Sequence, residues 1–383
     1  MNAIKNTGRL PWLDRVKGIG IVFVVIGHVY VEDGFLSRII HGLNVPLFFI
    51  GAGYLSAYKQ ESRNKMPQLL AKKVRSILRP YFIYSAAVMV WLCIRLLVFG
   101  YGSHAEILHC LADIFCLEGI SSLWFLSVLF LGEMLYLFCG KQAEHRETEC
   151  RETECKKTEY RETKKTENAK SMRKKTAILL VLLITAYLLT CFLDNAGNFH
   201  ELFIGKIILK FTRILTRAVM AAGLMMLGDI LYSLEKRLTS KNTEDIFFLI
   251  TALICLLLSS AGLWYNGLRD FHYLSFGNFP LYVINTLFGF MAAASIGRLL
   301  KKDHILVYFG QNSLWIMATH LILLDFINIM AIILSAPAGR YLGDASGAKL
   351  AVLTAAELLL LWGRKKNHTK NNPKISIKFI KNH

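Results

Sequence analysis

An all-α fold, a polytopic membrane helix bundle of about ten transmembrane helices with both termini cytoplasmic, is what this sequence predicts. Three observations carry that expectation. The 383 residues are 54% hydrophobic with a mean hydropathy of +0.41, too apolar for an ordinary soluble domain. Apolar runs of about 17 to 25 residues, the length that crosses a bilayer, recur along the chain. The Lys and Arg residues behind the net charge of +18 collect between those runs, in every second connection. That is the positive-inside pattern, so the charge points to a lipid bilayer and gives no support to a nucleic-acid partner.

The spans fall at 12–31, 39–57, 80–99, 121–139, 177–193, 213–232, 246–264, 279–297, 311–335 and 348–362. The first follows a basic N-terminus and has no small-residue cleavage site after it, so it is expected to stay as a helix. It carries Lys17 and, eleven residues on, His28. At 3.6 residues per turn both leave the helix on nearly one face, about 16 Å apart. Ionisable groups inside lipid normally face a bundle interior, although Lys17 snorkelling to headgroups and His28 as a packing residue is the plainer alternative. Gly20 and Gly27 form a second stripe, where a neighbouring helix can approach closely.

The 58–79 connection is basic, with Lys59, Arg63, Lys65, Lys72, Lys73, Arg75 and Arg79. After the third span, Ser103 and Glu106 form a capping box that opens an amphipathic helix with Glu106, His109 and Asp113 on its polar side. A solvated face is the expected role for that side. Glu133 sits deep in the fourth span and calls for a partner or cavity. Segment 140–176 contains the pentads RETEC-RETEC-KKTEY-RETKK, too polar for a core, and reads as a charged cytoplasmic linker or fraying helix. Lys206, Lys210, Arg213 and Arg217 make one basic face leading into the sixth span, on the outer side and against the positive-inside bias. Headgroup contact, the phosphate of an anionic ligand outside, and an inward fold onto a charged ligand all remain open for it. The outer segment Tyr265 to Pro280 mixes aromatics with Asn266, Arg269, Asp270 and His272, suited either to a sugar ring or to an interfacial belt. Arg95 and Asp325 lie near span ends, where snorkelling or a surface pair is expected. Residues 1–363 thus read as one membrane domain and 364–383 as a basic cytoplasmic tail.

The eight cysteines show no metal spacing, and Cys110 and Cys116 point apart on one helix, so no bridge is expected between them. No metal site is expected. No H-E-x-x-H, P-loop, G-x-G-x-x-G or G-x-S-x-G element occurs, which removes metalloprotease, ATPase, dinucleotide and hydrolase-elbow readings.

Leu13-Asp14 … Lys17-Gly18-Ile19 … Gly27-His28 resembles the first helix of the acyltransferase-3 family, integral-membrane O-acyltransferases that modify bacterial surface glycans. In that family an Arg or Lys, ten residues and a His are the signature, matched here by Lys17 and His28. Val45-Pro46-Leu47-Phe48-Phe49-Ile50-Gly51-Ala52-Gly53-Tyr54 is similar to its second-helix block, and Leu123-Trp124-Phe125-Leu126 to a weaker fourth-helix block. Gly310-Gln311-Asn312-Ser313-Leu314-Trp315-Ile316, followed by His320, is similar to its late block. Two positions depart from the pattern. Asn44 stands where many relatives have His, with His41 one turn earlier, and Ala52 replaces the usual Ser.

The resemblance implies transfer of an acyl group, with acetyl favoured and succinyl open, from acyl-coenzyme A to a hydroxyl of an extracytoplasmic glycan or lipid-linked glycan. It places the chain as a multi-pass protein of the bacterial cytoplasmic membrane. His28 would be the general base, since an imidazole with pKa near 6.5 suits that work at neutral pH. Glu32, one turn on, would orient the ring, or else face water at the interface. Lys17, with Arg15 sharing the role, would meet the phosphates of acetyl-CoA as charge-assisted donors. His320 is either a second site histidine or a packing residue. A secondary transporter or glycan exporter is the rival class, since it too can carry ionisable residues at mid-membrane. The two halves of the chain show no similarity to support internal repeats.

Overall fold

Lipid offers no hydrogen-bond partners, so a chain with these apolar runs satisfies its backbone within helices. The computed structural model describes residues 9–29, 34–144, 157–196, 203–238 and 245–335. Among them the elements are α1 (Pro11–Val29), α2 (Phe35–Tyr58), α3 (Met66–Lys73), α4 (Arg79–Phe99), α5 (His104–Phe115), α6 (Trp124–Glu144), α7 (Lys157–Asp194), α8 (Phe203–Leu238), α9 (Asp245–Asn266), α10 (Phe279–Leu299), α11 (Ile305–Gln311) and α12 (Ser313–Ser335). Eight helical stretches of the described residues are long and apolar enough to cross a membrane. The helix α1 is a further 19 residues long, and its Asp14, Arg15 and Lys17 interrupt the apolar run at one end only. Nine of the ten expected spans therefore have a helix at their place, and the tenth, 348–362, lies outside the described residues. So do the tail and the pentads before Lys157; the later pentads are helical, as the start of α7.

Differences from the expected boundaries lie in the connections. The basic 58–79 segment holds α3 and a π-helical turn, Val74–Leu78, that runs straight into α4. Likewise the basic stripe beginning at Lys206 belongs to α8 from its start. Loop charge marks a boundary for hydropathy, but it does not stop a helix whose aliphatic stems still pack.

Helix α1 packs against α2, α10, α11 and α12. Its small residues permit this. A Cβ on Gly20 would lie 2.8 Å from the Phe48 ring, and one on Gly27 would lie 3.0 Å from Ile40 and 3.4 Å from His41, all on α2. Gly18 meets the Leu306 backbone, and Gly310 meets the Asp14 backbone, so α1 and α11 cross with almost no side chain between them. At a second such crossing Gly53 of α2 meets Met225, and Gly228 of α8 meets Ile50 and Tyr54. Ser103 caps α5 by accepting the Glu106 N–H at 3.1 Å, as the capping box requires.

Candidate active site

Helix α1 carries Lys17 toward one end and His28 at the other, so the site is built in two parts.

At the first end, Asp14 and Arg15 are 7% and 6% exposed. Arg15 donates to the carbonyls of Lys301 at 2.8 Å, Gly297 at 3.1 Å and Asp303 at 3.3 Å. These bonds tie α1 to the end of α10, so the guanidinium acts as a clasp between helices. Asp14 accepts from Gln311 at 3.4 Å and faces Arg9 at 3.7 Å. Lys17 makes no ion pair among the described residues, although the charges of Asp14, Lys59, Arg9 and Glu133 all reach it. Glu133, the mid-span carboxylate, is paired with Lys73 at 2.9 Å. Lys73 also meets Glu61 at 3.0 Å, and Lys72 meets Glu61 at 2.5 Å. Burial alone would raise the Glu61 carboxyl, but Lys73 and Lys72 outweigh it and hold it below the usual carboxylate range. Neighbouring charges are likewise paired: Arg298 with Glu235 at 2.8 Å, Tyr54 donating to Glu235 at 3.0 Å, and Lys175 with Asp229 at 2.7 Å.

At the other end His28 and His320 come together, with ring centroids 5.2 Å apart and planes tilted by 40°. His320 is fully buried while His28 stays accessible. The position of His320 is fixed by local structure. Its Nδ1 lies 2.9 Å from the carbonyl of Ile316, one turn back on α12. A carbonyl only accepts, so Nδ1 carries the proton and Nε2 presents a lone pair. That Nε2 has no partner. Ser122, at the entrance to α6, donates to the Met317 carbonyl at 2.5 Å and braces the same turn.

The loop between α9 and α10 closes this end. Asp270 faces His41 Nδ1 at 3.5 Å and accepts the N–H of His272 at 2.6 Å. Burial would raise the Asp270 carboxyl; the hydrogen bonds from His41 and the His272 N–H outweigh it and hold it below its ordinary value. The His272 ring lies tilted by 51° against Trp124, centroids 4.7 Å apart, and its imidazole is pushed down to about 4, by burial first and the Arg217 charge second. Arg217, from α8, donates twice to the His272 carbonyl at 2.9 and 2.7 Å and lies 5.5 Å over the Trp124 ring. The charges of His41 and Asp270 reach His28, and His28 in turn reaches His272. Among the described residues no cluster of His, Cys, Asp or Glu is arranged to hold a metal ion.

Of the residues expected in the site, the fold thus joins His28 to His320 and places Lys17 at the far end of the same helix. Glu32 lies outside the described residues. Arg15 is engaged with backbone carbonyls. The polar side of α5, expected to be solvated, is paired instead: Glu106 with Arg95 at 2.6 Å, and Asp113 with Lys210, which also meets Glu118 at 3.1 Å. Arg95 meets Asp325 at 3.5 Å as a span-end pair. His41, Asp270, His272 and Arg217 join the histidine pair, and their signal in sequence was only a departure from pattern, an aromatic loop and a misplaced basic stripe.

An all-helical, multi-pass membrane protein with an imidazole pair at one end and, at the other, a lysine with no ion pair among the described residues is the class that this architecture defines. The chain belongs to the acyltransferase-3 family, whose model, an acyltransferase domain, matches residues 10–353. It is therefore an acyltransferase of membrane type. No curated protein and no solved structure matches it significantly.

Proposed function

We propose that this acyltransferase moves an acyl group, acetyl in the first instance, from acyl-coenzyme A to a hydroxyl of a cell-surface polysaccharide or other glycan. It would do so in the cytoplasmic membrane of a bacterium. The observation that carries the reading is the contact of His28 on α1 with His320 on α12, at the opposite end of α1 from Lys17, which makes no ion pair among the described residues.

The chemistry follows from the geometry. The acceptor hydroxyl oxygen attacks the thioester carbonyl carbon, and its proton passes to the unprotonated nitrogen of His28. The C–S bond breaks, and coenzyme A leaves as a thiolate that takes up the proton. His28 is the accessible imidazole of the two, so it is the one that meets the hydroxyl. His320 acts as a positioning residue: with Nδ1–H engaged, its Nε2 lone pair is open to accept a hydrogen bond from His28 once that ring has taken up the hydroxyl proton. Lys17 supplies a cation for the donor phosphates, which a carboxylate partner would otherwise neutralise.

The test uses full-length protein in proteoliposomes with labelled acetyl-coenzyme A and surface glycan from a strain lacking the protein. Ester-linked label is expected on the glycan. His28→Ala should lower transfer by about 10²- to 10⁴-fold, the contribution of a general base, while coenzyme A still binds. Undiminished transfer by His28→Ala would remove the assignment, and label that never reaches glycan would remove the acceptor.

A further inference from the structure

One buried cation at the His28 end lacks a counter-charge. Arg217 is 5% exposed, and no carboxylate lies within ion-pair distance of it among the described residues. Its Nε and Nη2 share a single acceptor, the His272 carbonyl, and its Nη1 is buried without a partner. The acids whose charges reach it are engaged elsewhere: Glu118 with Lys210 at 3.1 Å, and Asp270 with His41 at 3.5 Å. A guanidinium withdrawn from water without an anion is strongly destabilising, and one carbonyl offsets only part of that.

Lys210, two turns away on the same face of α8, makes the contrast plain, because it holds two carboxylates, Asp113 and Glu118. Arg213, between the two, is exposed and unpaired, and its charge reaches both Arg217 and His272. The Nδ1 of His272 is a second buried polar atom with no partner. Helix α8 and the α9–α10 loop therefore present two guanidinium groups and an imidazole edge, all unsatisfied by protein acids. Trp124 holds the Arg217 fork in place. The loop that carries His272 also carries Asp270, which holds His41 against α1 beside His28.

We propose that Arg217, Arg213 and His272 form an oxyanion subsite that takes a phosphate or carboxylate group of the acceptor, beside the hydroxyl presented to His28. This rests on the acceptor reading above and narrows it to acidic acceptors. The planar fork of Arg suits both anions. The anion has two sources, an acidic sugar itself or the phosphate that links a glycan to its lipid carrier.

Thermal unfolding of the purified full-length protein in detergent, with added probes, separates these outcomes without any acyl transfer. N-acetylglucosamine 1-phosphate, glucuronic acid and farnesyl phosphate represent the charged sources, and N-acetylglucosamine is the neutral control. Stabilisation by one or more charged probes and none by the neutral sugar is expected. A shift from glucuronic acid places the anion on the sugar, and one from N-acetylglucosamine 1-phosphate or farnesyl phosphate without glucuronic acid places it on the carrier link. Arg213→Gln and Arg217→Gln should each weaken binding of the effective probe about tenfold or more, as loss of a charge-assisted hydrogen bond implies. Lys301→Gln, at the opposite end, should leave it unchanged. Because Arg217 also holds the His272 loop, the exposed Arg213 variant carries the test if Arg217→Gln does not fold. Equal stabilisation by the neutral sugar, no stabilisation by any charged probe, or wild-type affinity in the Arg variants would overturn the subsite. Anion binding that persists in a protein unable to acylate glycan would instead count against the transfer reading alone.

Discussion

The two ends of the bundle treat buried polarity in opposite ways. At the Lys17 end the buried charges have partners: Glu61 with Lys72 and Lys73, Lys73 with Glu133, Asp229 with Lys175, Glu235 with Arg298. Arg15 fills the same need with three carbonyls. At the His28 end, polar atoms are left open: His320 Nε2, His272 Nδ1 and Arg217 Nη1 are all buried without partners. The Lys17 end has unbonded atoms too, Ser56 Oγ and Glu133 Oε2, but Glu133 keeps its ion pair with Lys73. Buried polar groups are ordinarily satisfied, so this closed end mainly holds helices together and the open end is shaped for something that arrives. Lys17 differs from the buried charges around it: it is half-buried and makes no ion pair among the described residues.

The closed end gives the largest expected effect on stability. Lys73→Met strands Glu133, 9% exposed and deep in α6. Breaking a buried pair costs about 3–5 kcal/mol, and the lower value applies because Glu133 can take up a proton. A large drop in detergent Tm is expected, and Lys73→Met combined with Glu133→Leu should recover most of it. Failure of the double variant to recover would mean that the pair does more than satisfy itself.

The glycine crossings come next. A Cβ on Gly228 would meet backbone atoms of Ile50 and Tyr54, which cannot swing aside as a side chain can. Gly228→Ala should cost about 1–3 kcal/mol, the range for overpacking. Gly140→Ala, with nothing near its Cβ, should change Tm little. Equal Tm losses would show that helix propensity, and not close approach, sets the cost.

Lys17 sharpens the comparison on function. Lys17→Met removes no ion pair, so stability should hold while the KM for acyl-coenzyme A rises about tenfold or more. His28→Ala should do the reverse, lowering kcat at nearly constant donor affinity. A Lys17 variant that loses Tm but keeps its KM would return the residue to a structural role.

Lipid makes the spans legible, since only long apolar runs can lie there, and the Lys17–His28 spacing and Gly20–Gly27 stripe were readable because helix geometry fixes them locally. The rest of the site was not. Asp270 and His41 lie far apart in sequence, and each alone has an ordinary explanation as an interfacial residue. Arg217 belongs to a stripe whose members part company in the fold: Lys210 is neutralised, Arg213 stays exposed, Arg217 turns inward. No periodicity distinguishes those fates, because the acids that decide them come from α5 and its following turn. The α3 segment and π turn were hidden for the same reason, since their lysines look like loop until Glu61 and Glu133 are placed around them.

The smallest expected effect is a pH dependence that belongs to the open end. Unfolded, His272 titrates near 6.5; folded, burial and Arg217 keep it neutral down to about 4. Between those values the unfolded chain binds the extra proton, so the stabilisation is complete above pH 6.5 and is lost as pH falls to about 4. His272→Gln should therefore lower Tm near neutrality by a few degrees at most and converge on the wild type near pH 4. The imidazole is partly exposed, which reduces the size of the effect without changing its sign. A difference between the two proteins that stays constant from pH 7 to 4 would mean that the His272 ring acts by packing on Trp124, and that its neutrality is not what the loop depends on.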